Sequence, residues 1–278
     1  SKGEYWNEYQ KIVSNKAKII LSTRQGAFLP IQGNSKIIFF ESTSQDFKQY
    51  EQHPKYDARI VAAWIANITK SQLIYTSSSG ELFNSDINKS VLPSALQIKT
   101  SVKLIDMKTE MQKKDFSIIA DSTLNSIKET IANNQKVLII SLRQDSEEGV
   151  SAHKIQEVLT NTLKNCRVAI NNPENDLKDN FDILVSTSYS LETLKLNSKK
   201  KEFGLAVFSS IEPLLALPDF RSAQRTFNKL NYWKMMCNEL QIPQIILQSY
   251  SPDNLSIRAF AYGEVEDRKS GSAGMPRP

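Results

Sequence analysis

The chain has 278 residues, of which 40% are hydrophobic and 23% are charged, as in a typical globular protein. Its net charge of +5 favours a polyanionic partner only weakly, because many proteins with this balance bind nothing acidic. No apolar run approaches the roughly 18 residues of a membrane-spanning helix, and the first ten residues lack the layout of a secretory signal. We therefore expect a cytoplasmic protein without a membrane partner. The two cysteines, Cys166 and Cys237, form no C-x-x-C pair, so a zinc site built from cysteines is excluded.

Short apolar runs recur along the chain, and most of them end in serine or threonine. Their apolar residues are continuous rather than alternating, which predicts strands that are covered on both faces, as in a parallel sheet flanked by helices. The predicted strands are 17–23, 35–42, 71–79, 102–107, 135–142, 166–170, 181–188, 203–210 and 243–250.

Segments with helical periodicity lie between several of these strands. Residues 57–69 (DARIVAAWIANIT) place an apolar stripe on one side of a helix, formed by Ile60, Val61, Trp64, Ile65 and Ile68. Further helices are predicted over 121–134, 152–165 and 218–240. Strands that alternate with helices predict an α/β fold.

We place a domain boundary near residues 108–120. Residues 1–112 are predicted to form a first, incomplete lobe, and residues 113–265 a second, complete one. The terminal segment 266–278 has no apolar period, and its glycine, serine and proline content predicts disorder.

Several blocks of the chain match, in order, the sequence blocks of one helicase family. STRQGAFLP at 22–30 is similar to the family's "GTRSALFLP", and FKQYEQHPKYDARIVA at 47–62 to its "YKQ…PRYHARDVA". VKLIDMKTE at 102–110 is similar to "VELVDMRAE", and PDFRSAQRTFNKL at 218–230 to "PDFRAAERTFQLL". The chain thus resembles, over nearly its whole length, the helicase portion of the primosomal protein N′ family, the replication-restart DNA helicases of bacteria.

The resemblance implies a fold, an activity and a set of partners. Members of this family belong to helicase superfamily 2, with mainly parallel sheets in two RecA-like lobes and ATP and DNA sites at the cleft. ATP-dependent DNA unwinding, with ATP and magnesium as cofactors, is the family's activity. DNA, single-stranded or forked, and other replication-restart proteins are the implied partners.

The family's catalytic motifs are degenerate in this chain. IIFFES at 37–42 stands where the family has a D-E-x-H box, and Glu41 is the only acid left as a candidate catalytic residue. NYWKMMCNEL at 231–240 replaces the family's "QVAGRAGR" arginines, which act on the γ-phosphate. The chain contains no G-x-x-x-x-G-K-[ST] loop, and the family's cysteine-rich zinc insertion is missing, so zinc is not expected.

Four basic residues are candidates for DNA binding. The family match implies that Arg24 contacts a DNA phosphate, although an exposed arginine on a loop can equally be an ordinary surface charge. Lys48, Lys55 and Arg59 alternate with aromatic residues in 47–59, a pattern that suits stacking on single-stranded bases, or else aromatics that cover the edge of a core.

Two further arginines, Arg221 and Arg225, lie one helical turn apart. We expect them to have a structural role, in which they pair with Asp219 or Glu212 and stabilise a turn.

We therefore predict a diverged, helicase-like DNA-binding protein of replication restart that does not hydrolyse ATP. Two alternatives remain open: a pseudo-helicase that serves as a scaffold for replication proteins, and a piece of a working helicase whose motifs have drifted.

Overall fold

The computed structural model describes residues 2–77, 100–112, 117–145, 150–172, 180–188, 190–191, 194, 203–209, 211–218 and 221–263. The chain divides into two compact units, residues 1–91 and 92–278. The tail at 266–278, for which we predict disorder, lies outside the described residues. Among the described residues, no helix is both long enough and apolar enough to cross a membrane.

The first unit contains a small parallel sheet and a short hairpin. Its elements are α1 (Lys2–Val13), a 3-10 helix (Arg24–Phe28), β1 (Lys36–Phe39), a 3-10 helix (Gln45–Phe47), β2 (Lys48–Gln49), β3 (Tyr56–Asp57), α2 (Ala58–Thr69) and β4 (Gln72–Tyr75). β1 pairs in parallel with β4, and β2 pairs antiparallel with β3.

Helix α2 packs on the β1–β4 sheet through its small residues. Ala58 and Ala62 contact the buried Phe39 of β1, and Asp57 caps the helix by accepting a hydrogen bond from the Arg59 amide at 3.0 Å. The predicted stripe is therefore wrong about which side is buried: Ile60, Trp64 and Ile68 are 47%, 69% and 79% exposed. The small alanine side chains, and not the larger isoleucine and tryptophan side chains, occupy the side that faces the sheet.

The strand predicted at 17–23 does not form. This segment has no regular secondary structure, and its Ile19 and Leu21 are 84% and 89% exposed. A strand needs a neighbour for its backbone hydrogen bonds, and no strand in the described part of the chain pairs with this one. Each of the other eight predicted runs overlaps an observed strand.

The second unit is built on a six-stranded parallel sheet, which confirms the predicted α/β fold class. The strand order is β5–β10–β9–β6–β8–β7, and every pairing is parallel, an arrangement consistent with a RecA-like lobe. The strands are β5 (Ser101–Asp106), β6 (Lys136–Ser141), β7 (Val168–Ile170), β8 (Ile183–Thr187), β9 (Phe203–Phe208) and β10 (Gln244–Ser249).

Helices cover both faces of this sheet. They are α3 (Met107–Met111), α4 (Asp121–Ala132), α5 (Ala152–Thr162), α6 (Glu212–Leu215), α7 (Ser222–Glu239) and α8 (Leu255–Tyr262). Alternate residues of β6 serve the two cores: Leu138 and Ile140 join the core that α7 and α8 cover, whereas Ile139 joins the core under α4 and α5. This two-sided burial explains why the strand sequences are continuously apolar.

The division between the units comes earlier than the boundary predicted at 112. Strand β5, which we assigned to the first lobe, pairs along its whole length with β10, from Ser101 opposite Gln244 to Asp106 opposite Ser249. The observed division lies between residues 91 and 92. Sequence periodicity predicts a strand at β5 but does not indicate which sheet receives it.

The two-sided core of the second unit yields a stability prediction. Leu247 of β10 is fully buried, whereas Leu255 at the start of α8 is 48% exposed. We expect Leu247→Ala to lower the free energy of unfolding by about 2–5 kcal/mol, because it removes buried methyl groups and leaves a cavity. The matched control, Leu255→Ala, should cost less than about 1 kcal/mol. Urea unfolding of both variants measures the difference, and equal losses would contradict the assignment of this core.

Candidate nucleic-acid interface

The β2–β3 hairpin carries two of the basic residues predicted to bind DNA. Lys48 lies in β2, and Lys55 is exposed immediately before β3. Between them Tyr50 is 54% exposed, and its hydroxyl donates a hydrogen bond to Gln45 Oε1 at 3.0 Å. Lys48 Nζ lies 6.0 Å from the centroid of the Tyr50 ring. The hairpin thus presents an exposed aromatic ring together with two ammonium groups.

Arg24 is attached to the same hairpin by its guanidinium. Its Nη2 donates to Gln49 Oε1 at 3.3 Å, and its Nη1 donates to the Asp46 carbonyl at 3.4 Å. Both bonds are long, and the Arg24 side chain is only half-buried, so a stronger acceptor such as a phosphate can replace them. We call the surface formed by Arg24, Lys48, Tyr50 and Lys55 the hairpin surface.

Arg59, the fourth predicted DNA-binding residue, is an interior residue instead. Only 2% of it is exposed, and its Nε and Nη2 donate to the Asp57 carboxylate at 2.8 and 2.7 Å. Its Nη1 donates to the carbonyls of Ser42 and Ser44 at 2.6 and 3.2 Å. Because these donors are already engaged inside the unit, Arg59 is not part of the hairpin surface, and its assignment to DNA is corrected. An aspartate two residues before an arginine is a common sequence pattern, so it does not predict that Arg59 is buried and paired with Asp57.

The loop after β1 is where a nucleotide-bound magnesium would require carboxylates. Glu41 has a φ of +50° and is the only acid in the 41–44 segment; its carbonyl accepts the Ser44 amide at 2.8 Å. Ser42 is fully buried, and its carbonyl is bound to Arg59. No cluster of three or more histidine, cysteine or acidic side chains in the described residues could hold a metal. One carboxylate beside neutral hydroxyls does not fit this ion, which needs negative charge to balance its own.

Hydroxyl groups mark the carboxyl ends of the six-stranded sheet, the edge where open α/β sheets usually bind ligands. Ser209 Oγ donates to the Ile140 carbonyl at 3.1 Å, and Ser186 Oγ lies 2.9 Å from Ser190 Oγ. Ser249 Oγ donates to Glu212 Oε1 at 2.8 Å. In the part of the chain that the structure describes, these hydroxyls bond to the chain itself.

Arg221 and Arg225 lie half-buried at the start of α7. Their predicted partner Glu212 binds elsewhere: its Oε1 accepts Ser249 Oγ and, at 2.7 Å, the Tyr250 amide. Burial, and then the Glu212 carboxylate, raise the pKa of the Tyr250 hydroxyl. The pairing with Glu212 is therefore replaced by a cap on the end of β10. The other predicted partner, Asp219, lies outside the described residues.

Comparison with known proteins gives the same family as the sequence blocks. No protein-family model matches the chain. Six curated proteins match it, and all six are named Replication restart protein PriA. The chain is a diverged PriA-like protein. The PriA of Thermotoga maritima is 28% identical over 168 residues, which cover 59% of this chain and 22% of that protein. The PriA of Bacillus subtilis is 22% identical over 335 residues, which cover 93% of this chain and 41% of that protein.

The chain thus spans between about a fifth and two fifths of the length of these PriA proteins. The match to the Bacillus subtilis protein runs over 335 positions, more than the 278 residues of this chain. That relative therefore has positions within the matched region that this chain lacks, in keeping with an insertion missing here.

The Arg59 contacts yield a second prediction. We expect Arg59→Met to lower the free energy of opening of α2 by about 3–5 kcal/mol, because it leaves the Asp57 carboxylate buried without its partner. The matched control is Arg24→Met, which removes two long bonds at a half-buried site and should cost less than about 1 kcal/mol. Hydrogen exchange of the α2 amides, followed by mass spectrometry, measures both changes. Equal protection in the two variants would contradict a structural role for Arg59.

Proposed function

We propose that this protein binds single-stranded or forked DNA in replication restart through the hairpin surface, and that it does not hydrolyse ATP. The proposal is carried by the contact of Lys48 Nζ, 6.0 Å from the centroid of the exposed Tyr50 ring, on a hairpin to which Arg24 is hydrogen-bonded and on which Lys55 is exposed. The positions come from the PriA-like blocks at 22–30 and 47–62. Two of them, Lys48 and Lys55, belong to the hairpin, and Arg24 bonds to it from the 3-10 helix.

The chemistry of the hairpin surface favours single strands. The ring of Tyr50 can stack on an unpaired base, which base pairs in a duplex conceal, while the cations follow the phosphates. Such contacts do not distinguish one base from another, so binding without sequence preference is expected. The overall charge of +5 adds a general attraction to DNA.

The loop after β1 supports the loss of hydrolysis. Phosphoryl transfer to water depends on a phosphate cradle, a metal-binding acid pair and a positive charge on the γ-phosphate, which act together. Glu41 is the only acid in 41–44, and NYWKMMCNEL at 231–240 stands where the family has its arginines. One surviving group restores very little of a unit whose members act jointly.

DNA binding predicts a definite salt dependence. Each phosphate neutralised on a single strand contributes about −0.7 to the slope of log Kobs against log[salt], so three contacts give about −2. We expect the double substitution Lys48→Ala with Lys55→Ala to flatten this slope by about 1.4. The matched control is Lys36→Ala with Lys70→Ala, which removes two exposed lysines at the opposite end of β1 and α2 and should leave the slope unchanged.

Fluorescence anisotropy with a labelled oligonucleotide at several salt concentrations measures these slopes. Absence of salt-sensitive binding to any DNA would overturn the proposal in favour of a scaffold for replication proteins. An equal loss in the control pair would show that binding is diffuse and does not use the hairpin surface.

The catalytic part of the proposal has its own test. We expect no ATP turnover above background, with or without DNA, because Glu41 is the only acid in the 41–44 segment, where the family has an acid pair. A coupled ATPase assay on the full chain and on Glu41→Gln should give identical background rates. DNA-stimulated turnover that disappears in Glu41→Gln would show that the chain is part of a working helicase.

A further inference from the structure

The loop that joins β2 to β3 carries a histidine beside the lysines of the hairpin surface. β2 ends at Gln49 and β3 begins at Tyr56, and His53 lies within the exposed segment 51–55. In the part of the chain that the structure describes, the His53 imidazole makes no hydrogen bond or ion pair. Its two ring nitrogens are therefore available to a ligand, and both are donors once the ring is protonated.

The imidazole lies close to the other groups of the hairpin surface. His53 is two residues from Lys55 in the same loop, which places their Cα atoms within about 7 Å of each other. It is three residues from Tyr50, which places those Cα atoms within about 11 Å. At about 0.15 M salt the Debye length is about 8 Å, so charges on His53 and Lys55 act on the same stretch of a DNA backbone.

Protonation of His53 doubles the net charge around the hairpin. The other charged side chains of 45–55, together with Arg24, are three cations and two acids: Arg24, Lys48 and Lys55, and Asp46 and Glu51. Three positive and two negative charges leave a net charge of +1 with a neutral imidazole, and +2 with a protonated one. Histidine is the side chain whose charge ordinarily changes between about pH 5 and 8. The attraction of this surface for phosphate therefore depends on a group that gains its charge as the pH falls.

We propose that protonated His53 contacts a DNA phosphate and adds a fourth cation to those of the hairpin surface, so that binding of single-stranded DNA strengthens as the pH falls. This inference rests on the proposed DNA binding. The imidazolium donates an N–H to a phosphate oxygen, which is a charge-assisted hydrogen bond. By linkage, bound DNA favours the charged imidazole, so binding takes up at most one proton, and log Kobs falls by at most about one for each unit rise in pH.

Fluorescence anisotropy on the full chain tests this proposal with a labelled thymidine oligonucleotide, whose bases take up no proton in this pH range. From about pH 7.5 to about pH 5.5, we expect the affinity at about 50 mM salt to rise about five- to tenfold, and the slope of log Kobs against log[salt] to steepen by about 0.7, the effect of one more phosphate contact. His53→Gln should bind like the parent chain at the higher pH and lose both changes. The matched control is His153→Gln, which removes the other histidine of the chain, on α5 and 3.3 Å from Asp145, and it should keep both changes.

A permanent charge at the same position gives the converse test. His53→Lys should show the steeper salt slope at both pH values, because its ammonium stays charged throughout this range. A parent chain that binds DNA equally well at both pH values, or a pH effect that survives His53→Gln, would overturn this inference and leave DNA binding through the hairpin surface in place. Absence of DNA binding at both pH values would instead overturn the proposed function, and this inference with it.

Discussion

Parallel strands bury both of their faces, because a sheet of this kind is stable only between two layers of helix. The six-stranded sheet meets this requirement, with α7 and α8 on one face and α4 and α5 on the other. The two-stranded sheet of the first unit does not: α2 covers one face, while Ile38 and Phe40 remain 46% and 70% exposed on the other side. In the described residues, helices thus cover both faces of the six-stranded sheet, whereas apolar side chains remain exposed on one face of the two-stranded sheet.

Within the first unit, Arg59 holds neighbouring segments together by charge and hydrogen bonds. In the second unit, apolar packing holds the segments together. The Arg59 guanidinium connects the start of α2 to the Ser42–Ser44 loop and lies 5.7 Å from the centroid of the Phe47 ring. The Ser42–Ser44 loop is thereby a bonded structural turn, directly before the hairpin surface. Sheet and helix packing do not depend on catalytic groups, so a fold of this kind can persist with or without them.

The sequence predicted the α/β class, and eight of the nine predicted strands form, because continuous apolar runs indicate burial on both faces. The two short strands β2 and β3 were not predicted. The prediction was wrong at 17–23, where the apolar pattern is present but no strand in the described residues pairs with the segment. An apolar pattern shows only that a segment favours a strand, whereas a strand also needs a neighbouring strand for its backbone hydrogen bonds. The prediction placed β5 in the wrong unit, because partners in a sheet are set by long-range contacts. Among the candidate site residues, Lys48 and Lys55 lie on one hairpin, and Arg24 is hydrogen-bonded to it. Arg59 does not, and no local signal separates a buried arginine from an exposed one.

The central claim is that the hairpin surface, and not the sheet edge of the second unit, meets DNA. Ultraviolet cross-linking of the full chain to a single-stranded oligonucleotide, with mass-spectrometric mapping of the modified peptides, tests it most directly. The account predicts adducts on the peptide that contains Tyr50, which disappear in Tyr50→Leu. Adducts confined to peptides from the ends of β6, β8 and β9, with the Tyr50 peptide unmodified, would contradict it.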